Sequence, residues 1–143
     1  MKSEKRKTKN HAGMNEEESV LMQKSQAFAT RIATMTEYLA NNRSKVFASL
    51  YDQVLRSGTS VMANVSESQF AQSSADFITK LHIALKEASE TRSWLKLLYN
   101  KSVITEREYE SMRADCSEIV ALLVASLNTA KKNSKKTNNN DEE

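Results

Sequence analysis

Few side chains in this chain can do chemistry. There is one cysteine, Cys116, and there are two histidines, His11 and His82. Carboxylates are abundant, and on helices they raise the question of a di-metal centre. Such a centre needs two Glu-x-x-His pairs and a glutamate from each of two further helices. His82 instead precedes Glu87 by five residues, and His11 lies in a polar N-terminal stretch, so neither completes a pair. Cys116 falls on an apolar stripe with no histidine near it in sequence, which predicts a core thiol rather than a nucleophile. A glycine-rich phosphate loop and a G-x-S-x-G elbow are both missing. These observations predict a non-enzymatic protein that uses no cofactor and no metal.

Binding chemistry has more candidates. Asn64, Glu67, Glu87 and Glu90 are polar groups on or beside apolar faces. Either they satisfy one another, or Arg92 of a neighbouring subunit, and so fix register, or they contact a polar ligand or RNA. Asn64, Glu67 and Arg92 are accordingly read as structural polar residues. Trp94, with Leu97 and Tyr99, is either the filling of an interface or a stacking platform for bases. The latter needs basic neighbours, and Lys96 and Lys101 are close in sequence. Lys86 adds to the positive charge of the same segment. Two basic clusters, Lys5, Arg6 and Lys7 at the start and Lys131, Lys132, Lys135 and Lys136 near the end, offer salt-sensitive, sequence-blind phosphate contacts. Otherwise they only solubilise the ends.

The elements that position these groups are helical. Proline is absent and glycine occurs twice, at Gly13 and Gly58. That disfavours a turn-rich β domain and favours long helices. Leu21, Phe28, Ile32, Met35 and Leu39 mark a first apolar stripe, begun by Asn15 as cap and closed by Asn41 and Asn42. Ser44 opens a second helix with Phe47, Leu50, Val54, Val61 and Val65 on its buried side. Gly58 in its middle costs about 1 kcal/mol relative to alanine, a cost explained if a neighbouring helix passes close. Residues Ser68 to Ser74 read as the connection, with Ser73 and Asp76 capping a third helix that runs to Asn100. A fourth opens on the capping box Thr105-Glu106-Arg107-Glu108. It carries Tyr109, Met112, Cys116, Ile119, Leu123 and Leu127, and its pattern ends near Ala130.

The third helix has two apolar stripes. Phe77, Leu81, Ala84, Ala88, Leu95 and Leu98 lie on one side, while Ile83, Trp94 and Leu97, with Glu87 and Glu90 among them, gather on another. The first stripe serves the chain's own core. The second predicts an interface with another copy. Four amphipathic helices on short links predict an all-α, antiparallel up-down-up-down four-helix bundle over residues 15–130, between a disordered basic tail at 1–14 and a disordered polar tail at 131–143. Positive charge on the third helix and negative charge on the fourth would favour those two as neighbours.

The formal charge of +3 divides evenly, +1 over residues 1–18, +1 from Thr129 onward and +1 over the body between. The body is thus near neutral, and any strong electrostatic footprint lies in the two basic clusters or in local patches. A lone cysteine, with no secretory h-region and no run long enough to cross a bilayer, predicts a cytoplasmic protein without a membrane role.

The stretch Ala63-Asn64-Val65-Ser66-Glu67, followed by Asp76-Phe77 and by Ile83-Ala84-Leu85-Lys86-Glu87-Ala88 with Glu90-Thr91-Arg92 and Trp94-Leu95, resembles a bacterial four-helix bundle family. Its first-noticed members are encoded in intervening sequences of 23S ribosomal RNA. The resemblance covers about Ala27 to Lys131. It implies a homo-oligomer, a ring of five bundles. It also implies kinship with accessory proteins of diversity-generating retroelements, basic barrels that bind template RNA and associate with a reverse transcriptase. Two departures are visible: Ser68 stands where many members have glycine, and Lys86-Glu87 replaces small residues. Together these readings predict an oligomeric RNA-binding accessory or scaffold. The competing class is a protein-interaction module with no nucleic-acid role.

Overall fold

The computed structural model describes residues 16–141. Over that range the chain forms α1 (Glu16–Asn42), a short 3-10 turn (Lys45–Phe47), α2 (Ala48–Ser68), α3 (Ser74–Asn100) and α4 (Glu106–Asp141). Consecutive helices are antiparallel neighbours, and α4 closes the ring against α1 along the sparsest of the four seams. This is the all-α, up-down-up-down four-helix bundle that the apolar periodicity predicts.

Local signals place most helix ends. Ser73 accepts the Asp76 backbone N–H at 3.0 Å, and Asp76 in turn accepts the Gln72 N–H at 3.2 Å. The capping box forms in both directions: Thr105 Oγ1 accepts the Glu108 N–H at 3.1 Å, and Glu108 Oε1 accepts the Thr105 N–H at 2.8 Å. Ser44 caps the 3-10 turn, so α2 itself starts at Ala48 rather than at Ser44. The expected cap at Asn15 lies outside the described residues. At the other end of α3 the chain turns through Ser102, whose φ is 60°. The Ser102 N–H donates to the Tyr99 carbonyl at 2.9 Å and the Val103 N–H to the Leu98 carbonyl at 2.9 Å. That is the paired-bond helix stop usually built on glycine, made here with serine.

The core follows the stripes read from the sequence. All six predicted apolar residues of α4 are buried, as are Leu81, Ala84, Ala88, Leu95 and Leu98 of α3. Met35, Phe47, Leu50 and Phe77 pack on its edge, partly buried. Gly58 sits where α1 and α2 approach: a Cβ built there would lie 2.8 Å from Ile32 Cγ2. The glycine is kept for closeness, at the expense of helix propensity. Across the α2/α3 seam the buried hydroxyls of Ser57 and Thr91 hydrogen-bond at 2.8 Å.

One element departs from expectation. The fourth helix does not stop near Ala130 but continues to Asp141. It has 36 residues against 27 in α1 and α3. With Cys116 bonded to the Ala88 carbonyl, Ala130 is level with Ser74 at the start of α3, so residues 131–141, about 16 Å at 1.5 Å per residue, extend past it. Among the described residues no helix is long and apolar enough to cross a membrane.

Candidate functional site

The second stripe of α3 lies on the outer side of the α2/α3 pair. Ile83 is exposed at 37 %, while Glu87, Glu90, Trp94 and Leu97 are half-buried. The two carboxylates find their cation within the chain. Arg56 of α2 reaches Glu87 at 3.3 Å and also pairs with Glu90. Gln53 accepts the Arg56 Nε–H at 3.1 Å, and the Trp94 indole N–H donates to Glu90 at 3.2 Å. The Arg56 hydrogen bond, backed by that indole, holds the Glu90 carboxyl below the usual carboxylate range. Arg92 of the same chain, two positions on from Glu90, is exposed and makes no ion pair with Glu87 or Glu90. Sequence alone offered no reason to choose Arg56 over Arg92, because the pairing depends on the register of α2 against α3.

The other polar residues are also locally satisfied. Asn64 is half-buried and donates to the Ser60 carbonyl at 2.8 Å, while Glu67 pairs with Lys80 at 3.0 Å. Trp94 and Lys96 diverge, since two residues turn a helix by about 200°. Lys96 lies instead over Tyr99 and Tyr109, at 5.3 and 5.2 Å from the ring centroids, and those rings stack on each other at 4.9 Å. The structure therefore places Lys96 away from Trp94 and leaves Arg56, paired with Glu87 and Glu90, as the cation on its side. Lys86 and Lys101 are exposed at separate points along α3 and its cap.

The C-terminal basic cluster is better organised than its sequence suggests. Lys131, Lys132, Lys135 and Lys136 are all exposed on the projecting part of α4. Their spacing of one, four and five residues puts them on one side of that helix. None enters an ion pair among the described residues. Lys5, Arg6 and Lys7 lie outside the described residues.

The acidic side of α4 faces α1, not α3. Lys24 meets Glu118 at 3.0 Å, Arg31 pairs with Asp115 and donates to Ser111 at 2.9 Å, and Arg43 lies 3.4 Å from Glu108. Arg43 also donates to the Val103 carbonyl, tying the end of α1 to the α3–α4 turn. α3 and α4 are neighbours as expected, but the ion pairs made by the acids of α4 are with α1. Thr30, Thr34, Met35 and Tyr38 face Glu108 and Met112 across this seam, lining an open groove of about 460 Å³.

Reactive groups are tied up in the fold. Cys116 is fully buried and donates to the Ala88 carbonyl at 3.2 Å, and burial pushes its thiol up to about 11. At neutral pH it stays protonated. Glu108, the acid beside the groove, is committed to the cap of α4 and to Arg43. Among the described residues no three His, Cys, Asp or Glu side chains gather as a metal site would require.

No curated protein matches the chain. A crystal structure of a protein of unknown function from the S23 ribosomal protein family of Bacteroides thetaiotaomicron is similar, with 44% sequence identity and a TM-score of 0.73. The match covers 78% of this chain and 98% of that one. The family model for the 23S rRNA-intervening sequence protein matches residues 17–125, which takes in all of α2 and α3 and most of α1 and α4. With the bundle and its apolar pattern, this shows that the chain belongs to the 23S rRNA-intervening sequence protein family.

Proposed function

We propose that this protein is a non-enzymatic, self-associating RNA-binding accessory or scaffold. The observation that carries the reading is the projecting end of α4, a regular helix with four exposed lysines on one side. Lysines held in a row on a helix meet successive phosphates at a smaller ordering cost than lysines on a coil. The remainder of the body is nearly neutral, so this cluster supplies the attraction and the bundle supplies the platform. The outer stripe of α3, with Ile83 exposed and Trp94 and Leu97 half-buried, supports assembly with further copies. Repetition of one basic helix in an oligomer would raise avidity without any new contact.

The test is titration of the full chain with RNA at roughly 50 and 200 mM salt. Four phosphate contacts on a single strand give a log–log salt slope of about −3 per chain. Replacing Lys131, Lys132, Lys135 and Lys136 by alanine should remove most of that slope. Absence of binding at the lower salt would remove the nucleic-acid reading and leave the protein-interaction module, which the α3 stripe alone supports.

A further inference from the structure

Phe70 is 78 % exposed in the connection between α2 and α3. Nothing in the bundle uses this ring, yet its backbone is well held. The Gln69, Phe70 and Ala71 N–H groups donate to the Ser66, Glu67 and Ser68 carbonyls at 3.2, 3.0 and 3.3 Å. The phenyl group is therefore presented to solvent from a structured turn.

Its neighbourhood follows from helix register. Cys116 donates to the Ala88 carbonyl and Tyr109 stacks on Tyr99, which fixes α4 against α3. In that antiparallel register the first residue of α3, Ser74, is level with about Ala130 of α4. Lys135 and Lys136 then stand one turn higher, level with the connection that carries Phe70. Rotation by 100° per residue sets Lys131 and Lys135 on the side of α4 away from Asp115 and Glu118, which face α1. That side is the one toward α3, while Lys132 faces outward and Lys136, five full turns after Glu118, stands above it on the α1 flank. An exposed aromatic and a cluster of lysines thus share one end of the molecule.

Resting on the RNA reading above, we propose that this end of the bundle selects unpaired nucleotides: a base stacks on Phe70 while flanking phosphates lie along the α4 lysines. A duplex keeps its base faces covered by its own stacking, so a projecting phenyl ring finds a partner only where a strand is single. Phenylalanine has no hydrogen-bonding group, so the contact accepts any base. Trp94 is half-buried and has no row of lysines beside it, because Lys96 is held over Tyr99 and Tyr109. The exposed Tyr38 has the Arg43 guanidinium over its ring, 5.3 Å from the centroid.

The experiment compares full-length wild type, Phe70→Ala and Phe70→Trp for binding of a fluorescein-labelled single-stranded RNA and of the same strand annealed to its complement. Phe70 is exposed, so matched thermal midpoints are expected for all three. The proposal expects Phe70→Ala to weaken single-strand binding about 5- to 150-fold, leaving the salt slope and duplex binding unchanged, and Phe70→Trp to keep wild-type affinity. Equal affinity of Phe70→Ala and wild type for the single strand would overturn the stacking contact while leaving the electrostatic reading intact. Wild type that binds neither RNA at low salt would overturn both. A fall in sedimenting mass for Phe70→Ala without RNA would make the ring a contact between protein copies, and would likewise overturn the proposal.

Discussion

Glu108 accepts the Thr105 N–H at 2.8 Å and lies 3.4 Å from the Arg43 guanidinium, so one carboxylate both starts α4 and holds the end of α1. The Thr105 backbone N–H is the largest of the interactions that hold its pKa below the usual carboxylate value. A pKa depressed on folding contributes stability that is complete above the unfolded value, about 4.3, and is lost as pH falls through the folded one. The urea midpoint of the wild type should therefore drop between about pH 7 and about pH 3. Glu108→Gln should be less stable at neutral pH and should show a smaller drop, because part of the titrating contribution is gone. Glu90 shifts the same way and supplies some of the remainder. If both proteins fell equally, Glu108 would not be a source of the pH dependence. The capping half of this arrangement is legible in sequence, since Thr105 and Glu108 are three residues apart. Arg43 is not, because it arrives from 65 residues away. The same holds for the Ser57–Thr91 bond, and for Arg56 as partner of Glu87 and Glu90.

At the scale of elements, α4 shows what apolar periodicity measures. Its buried stripe ends at Leu127 and its helix at Asp141. The pattern reports which turns face a core, and a helix can outlast its core when no proline or glycine interrupts it; neither occurs after Gly58. A loss of amphipathicity near Ala130 therefore looks, in sequence, like a loss of helix. A similar limit applies to the charges: net sign per helix points to α3 and α4 as neighbours, which they are, but ion pairing depends on the flank each charge occupies, and the acids of α4 look toward α1. Removing residues 131–143 should lower the far-UV helical signal by roughly a tenth, the segment's share of the described helix. It should move the thermal midpoint by no more than about 2 °C, since exposed residues contribute within about 0.5 kcal/mol. An unchanged helical signal would mean that this end of α4 is not helical in solution.

For the whole molecule, the open question is what covers the outer face of the α2/α3 pair. A helix of 27 residues is about 40 Å long and about 10 Å wide, so α3 alone offers about 400 Å². A standard interface needs about 800 Å² per partner. An interface of that size would take in the outer flank of α2 as well, which would place Arg56, Glu87 and Glu90 inside the contact rather than at its rim. Because these three already pair within the chain, they can be covered without leaving a charge unpartnered, and the cost of desolvating them is correspondingly smaller. Ile83 is the apolar residue of the stripe that the chain's own bundle leaves most open, at 37 % exposure. Ile83→Glu places a second carboxylate one turn from Glu87 and removes apolar area from the face, with little effect inside the bundle. Sedimentation equilibrium over a range of concentrations should show wild type as an oligomer. For Ile83→Glu it should show association weakened at least about 10-fold, with the helical signal and thermal midpoint of the separated chain retained. A wild-type chain that sediments as a monomer throughout would leave this face open in the free protein and remove self-association from the proposed function, while the basic end of α4 would still be tested independently by its salt slope.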